Sequence, residues 1–212
     1  MKKLSLFMIG LLFAFALGFS SCNGCKNKEA DAVLVEDSAL NVENLISMDR
    51  QDMFMNHGQD YRWYETCMKL NYFLDEENDG SLQEVVNVFQ AISEAGDGYD
   101  TKVFKFQHFA DGTCAQDSVI GFWVEDFPLN EEMIKLTYQE AYDKLMATNL
   151  PKPHSRYCTL RKQIGPKAAN PQYIFGNLKA QVYVDAVTGE VTDVNPAFGP
   201  GTNFGTPLGE WP

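Results

Sequence analysis

Histidine is scarce in this chain: His57, His108 and His154 are the only three. None lies beside another histidine or a cysteine at a ligand spacing on one helix, which argues against an imidazole metal centre. His154 precedes Cys158 by four residues, but it follows Pro153 in a loop and Cys158 begins a strand, so the pair reads as a filler histidine and a buried thiol. Nucleophile elbow, phosphate loop and dinucleotide fingerprint are all missing. Positive charge is also in short supply, with 17 Lys and Arg against 29 Asp and Glu and a net charge of −12. Such a chain is repelled by nucleic acid and anionic head groups, so a charged partner is expected to be basic. Catalytic carboxylate pairs have no short motif, and the acidic surplus makes chance pairs common.

No apolar run reaches the roughly 18 to 20 residues that span a bilayer. The longest uncharged one, Leu4 to Phe19, follows Met1-Lys2-Lys3 and ends in the small residues Ser20-Ser21. A basic start, a short apolar stretch and a small-residue end form a secretory leader rather than a permanent anchor. Within it, Phe19-Ser20-Ser21-Cys22 resembles a bacterial lipobox, with Phe where Leu is usual. The resemblance implies cleavage before Cys22 and acylation of that cysteine, the one lipid-attachment residue expected here. It places the mature chain in the bacterial cell envelope, on the outer side of the inner membrane or on the outer membrane, with the outer membrane favoured. One acyl chain binds a membrane only marginally, but the several that the resemblance implies make attachment effectively permanent. Residues 22–43 are poor in large apolar side chains apart from Val33-Leu34-Val35 and read as a flexible tether.

The remaining chain is long enough for one domain or two small ones. A hydrophobic fraction of 45% and an aromatic fraction of 13% exclude disorder. Acylation would remove Cys22 from any Cys22-x-x-Cys25 metal knuckle. Cys67, Cys114 and Cys158 lack the paired spacing of a zinc site. Export permits a disulfide, but three cysteines cannot all pair, and buried thiols fit equally well.

An α+β fold is expected, with helices packed on an antiparallel sheet. In residues 60–74, Trp63, Cys67, Leu70 and Leu74 fall on one helical face, and Glu65 and Lys69 form an i,i+4 pair. A second helix is predicted from Ser81, where Ser81-x-x-Glu84 forms a capping box ahead of Leu82, Val85, Val86, Phe89 and Ile92. A β-hairpin follows over residues 102–124, turning at Asp111-Gly112. A third helix is predicted from Thr137, where Thr137-x-x-Glu140 repeats the capping box and Tyr138, Ala141, Tyr142, Leu145 and Met146 share a face. Strands are predicted at Tyr157–Gln163, Gln172–Phe175, Gln181–Asp185 and Glu190–Val194. The segments opening at Ser81 and Thr137 share a cap, a Gln-Glu pair and a closing alanine, suggesting two related helix-plus-strands units. These would be an N-terminal unit over 44–130 and a second over 131–195.

The closing stretch "QVYVDAVTGEV" resembles the last hairpin of PepSY-type domains, in which a helix crosses a small antiparallel sheet. That resemblance implies an envelope domain that binds or inhibits proteins, and it transfers no site residue. The tail over 196–212, rich in Gly and Pro, is expected to be a strap whose aromatics Phe198, Phe204 and Trp211 pack back on the domain.

Asp75-x-Glu77-x-Asp79-Gly80 echoes the start of a calcium loop, but its twelfth position is Val86, so a solvated acidic corner is expected and no metal or cofactor is assigned. The function expected is a tethered, non-catalytic protein-binding or inhibitory module. An envelope immunity protein against a toxin and a carboxylate-dependent hydrolase are the alternatives. Paired acids of shifted pKa would favour the hydrolase; an apolar patch with an acidic rim would favour binding. Trp63, Trp123 and Phe127 are large enough to anchor a partner, but core packing is expected of each.

Overall fold

The computed structural model describes residues 40–91, 101–177 and 179–200. The lipobox, Cys22, most of the tether and the end of the tail therefore lie outside the described residues. Two helices pack on one antiparallel sheet of nine strands, and the sheet dominates. The elements in chain order are α1 (Val42–His57), β1 (Tyr61–Leu70), β2 (Leu82–Ala91), β3 (Lys102–Phe109), β4 (Cys114–Ile120), β5 (Asp126–Phe127), α2 (Tyr138–Met146), β6 (Tyr157–Gln163), β7 (Gln172–Asn177), β8 (Ala180–Asp185) and β9 (Val191–Thr192). The spatial order is β4-β3-β2-β1-β6-β7-β8-β9, with β5 extending β6 where β1 leaves it. A helix followed by a four-strand meander thus occurs twice. The two meanders meet where β1 pairs with β6, so the sheet is continuous across the boundary near residue 130.

Helix α2 and the β3–β4 hairpin follow the sequence pattern closely. Thr137 caps α2, and Glu140 returns the bond to the Thr137 N–H, completing the capping box. The 102–124 hairpin forms as β3 and β4, turning at Gly112 with φ +80.

Two predicted helices are strands. Residues 61–70 are β1 and residues 82–91 are β2, paired to each other along their length. These strands sit mid-sheet with both faces buried, so Val85, Val86, Val88 and Phe89 form a run without alternation, a pattern that cannot be told from a buried helix. The box at Ser81 does not form. The Ser81 N–H donates to Asp79, and Glu84 accepts from Gln107. The repeat aligned on Ser81 and Thr137 falls with it, since one segment is a strand and the other a helix. The repeated order instead pairs α1 with α2.

Helix α1 stands where the tether was expected to end. Asn41 caps it, Gly58 stops it with φ +62, and Val42, Ile46, Asp49 and Met53 are its buried residues. Asp49 breaks the apolar spacing of that face and hid the helix.

The core lies between the helices and one face of the sheet, where Met68, Leu70, Val85, Phe89, Phe106, Leu160, Phe175 and Val184 meet Ile46, Met53, Tyr138, Ala141 and Leu145. Most of these side chains are fully buried, each contributing roughly 1.5–3 kcal/mol. Trp63 belongs to this core, as expected. Trp123 is half-buried, and Phe127 is about half exposed.

Candidate functional site

Both faces of the sheet carry polar groups, with different consequences. On the helix face, Nε2 of His108 lies 3.0 Å from both Asp49 oxygens. Asn87 donates to Asp49 at 2.7 Å, the Thr66 hydroxyl donates to Asn87 at 2.6 Å, and the Trp63 ring N–H reaches Thr66 at 3.2 Å. This buried chain is satisfied along its length and ties α1 to β1, β2 and β3. It holds the fold together and offers no group to a ligand.

The opposite face is the candidate site. Strand register aligns Asp117, Lys105, Val88, Glu65, Arg161, Gln172 and Asp185 in one row across seven strands, from β4 to β8. Neighbours in such a row stand about 4.8 Å apart. Glu65, Arg161 and Gln172, at its centre, are all buried. The Arg161 Nε donates to Asp126 at 2.7 Å, and Glu125 lies 3.9 Å from Nη2. Trp123 braces the loop that carries these acids, donating its backbone N–H to Gln90 at 2.7 Å and its ring N–H to Asp126 at 3.3 Å.

Burial pushes the Glu65 carboxyl up to about 7, and the attraction of Arg161 only partly offsets it. Burial likewise raises Asp126 against the pull of Arg161. The Cys67 thiol donates to Glu65 Oε1 at 2.7 Å. Burial, reinforced by Glu65, raises that thiol well above its ordinary value, so Cys67 is no nucleophile at neutral pH. Glu65 Oε2, Gln163 Oε1 and Gln172 Oε1 are buried acceptors without a hydrogen-bond donor. Asn195 Nδ2, beside Tyr183, is a buried donor that also lacks a partner among the described residues, and each such orphaned polar atom costs about 1–3 kcal/mol.

A second feature lies at the sheet's β4 edge. Among the described residues nothing pairs with the outer side of β4, and all but its first residue are exposed. Val119 is 51% exposed, Ile120 74%, Phe122 59% and Val124 74%. An open groove of about 470 Å³ also runs between α1 and the loop before α2, bordered by Arg50, Arg62 and Glu131, with Arg50 and Glu131 ion-paired across it.

His154 pairs with Asp75 and stacks on Phe73 at 4.2 Å, while Cys158 is buried in the core, so the structure does not bring His154 and Cys158 together. Among the described residues no three acidic, cysteine or histidine side chains group as a metal site, and the 75–80 loop carries none. Its Asp79 caps Ser81, and Asn78 closes the turn. Cys114 is disulfide-bonded, whereas Cys67 and Cys158 are free thiols, so the three folded-region cysteines do not pair with one another. Among the described residues no helix is long and apolar enough to cross a membrane. Glu65 and Arg161 escaped sequence reading because their pairing is set by the β1–β6 register, which no local pattern encodes.

No family model, curated protein or solved structure matches this chain.

Proposed function

We propose that this is a lipid-anchored protein of the bacterial envelope, held through Cys22, that binds a protein partner and performs no catalysis of its own. The observation that carries the reading is the outer β4 edge, with which no strand pairs among the described residues. Native sheets protect their edges with Lys, Pro, bulges or cover. β4 has neither Lys nor Pro and a single charge, Asp117, and Val119 and Ile120 on it continue into the exposed Phe122 and Val124. We assign this edge an extended partner segment that adds to the sheet through its main chain. The net charge of −12 favours a segment that mixes apolar and basic residues. The helix-plus-meander order, occurring twice, agrees with a PepSY-like pair of units and with a binding or inhibitory role. An immunity protein would use the same edge against a toxin.

The test is photo-crosslinking in the native host from position 122, compared with a Val119→Lys, Ile120→Lys variant. One partner captured by the parent chain and lost in the variant, at unchanged thermal stability, supports the reading. Undiminished capture by the variant overturns the edge as the site.

One observation favours the hydrolase: Glu65 and Asp126 flank Arg161, and burial raises both. Turnover of a glycoside or ester panel, lost in Glu65→Gln, would replace binding with catalysis as the function.

A further inference from the structure

β1 pairs with β6 only from Glu65 onward. Ahead of that point the loop before α2 stands in for a strand. The Leu129 N–H donates to the Trp63 carbonyl at 2.7 Å, and the Asn130 side chain accepts from the Glu132 N–H at 3.0 Å, fixing a short 3-10 turn over Glu131–Met133. The parting of the two strands, with α1 opposite this loop, leaves the open groove of about 470 Å³. That volume falls within the roughly 300–1,000 Å³ of small-molecule pockets. Both walls are held by the fold before any ligand arrives.

The lining is partly apolar. Trp63 and Leu129 are buried there, Tyr61 is half-buried, and Phe54 is 49% exposed. Four charged side chains border the same groove. Arg50 and Glu131 neutralise each other as an ion pair. Arg62 and Glu132 do not pair, with each other or with any other charged side chain among the described residues. The Arg62 guanidinium makes a single hydrogen bond there, to the adjacent Tyr61 carbonyl at 2.9 Å. One cation and one anion are left over, too far apart to meet. On a flat surface, water would satisfy both and nothing would follow. In a concave, partly apolar cleft the charges of a ligand are drawn more strongly. A simple cation leaves Arg62 unanswered and a simple anion leaves Glu132 unanswered, whereas a ligand bearing both signs answers both.

We propose that this groove binds a small zwitterion, a free α-amino acid or short peptide with an apolar side chain. Its carboxylate lies on Arg62, its ammonium on Glu132, and its apolar side chain against Phe54 and Tyr61. No residue of β3 or β4 lines the groove, so the site is separate from the β4 edge and does not depend on it.

Titration of the mature chain with leucyl-phenylalanine, followed by heteronuclear NMR, tests the proposal. Amides of 61–63 and 129–132 should shift saturably, with a Kd of about 1 mM or tighter. The N-acetylated and the C-amidated dipeptide should each bind about tenfold more weakly. Arg62→Gln should no longer distinguish the amide from the parent dipeptide, and Glu132→Gln should no longer distinguish the acetylated form. Both side chains are exposed, so neither change touches the core. A parallel titration with free phenylalanine separates the two sizes of ligand: saturable shifts at the same amides support the amino acid, and shifts with the dipeptide alone support the peptide. No saturable shift with either probe up to about 10 mM overturns the proposal. So does equal binding of the parent and both blocked forms, which would leave the groove an apolar surface without charge recognition.

Discussion

Asp49 and His108 face each other across the helix–sheet boundary, with the imidazole Nε2 at 3.0 Å from both carboxylate oxygens and each residue less than 10% exposed. Asn87 donates to the same carboxylate. Removing the acid orphans two buried donors at once. Asp49→Ala is therefore expected to lower stability by about 3 kcal/mol, measured by urea unfolding, with α1 losing protection first. A loss below about 1 kcal/mol would mean that the network is not what holds α1 down.

Glu65 makes stability depend on pH in a defined direction. Its folded carboxyl titrates at about 7, above its ordinary value of 4.5. Between those values the folded state holds a proton that the unfolded state has released. The stabilisation is therefore full below about pH 4.5 and is lost as pH rises through 7. The loss is on the order of 3 kcal/mol. Glu65→Gln should flatten the stability profile between pH 5 and 8. An equally steep profile in the variant would assign the slope to another group.

The Thr137 capping box gives a smaller, local effect. Thr137→Ala removes the hydroxyl that accepts from the Glu140 N–H and donates to the Glu140 carboxylate, and leaves the bond from the backbone N–H of residue 137 to that carboxylate in place. About 1 kcal/mol is expected, read as a lower midpoint with an unchanged denaturant slope. Ser81→Ala, at the matching sequence motif, should cost no helix cap, since Ser81 leads into a strand.

Cys67 and Cys158 lie on adjacent strands, in register with Thr159 and Met68 respectively, so their side chains point to opposite faces of the sheet. Oxidation cannot join them without breaking the sheet. Mass spectrometry after diamide treatment should find no link between them. Alkylation should label Cys158 only after unfolding, because it is fully buried. A native Cys67–Cys158 disulfide would disprove the β1–β6 register.

These residues also show what was legible in the sequence. Thr137, Asp111-Gly112 and the strands from Tyr157 onward carried signals in their own neighbourhoods, and α2, the hairpin and β6 to β8 follow them. The first half was misread wherever both faces of a strand are buried, because alternation then disappears and Trp63, Cys67, Leu70 and Leu74 fall by chance on helical spacing. α1 was hidden by a buried acid whose partners, Asn87 and His108, lie far along the chain. The candidate site was the least legible part. Glu65 looked like half of a surface pair with Lys69, and its burial follows from a strand nearly a hundred residues away.

The β1–β6 pairing has one further consequence. It fuses two meanders, each of which would otherwise expose a long, bare strand flank, so neither half is self-sufficient. Expressed separately, each should aggregate or pair with a copy of itself. The intact molecule should melt in a single transition, its slow step being the meeting of two strands made early and late in synthesis.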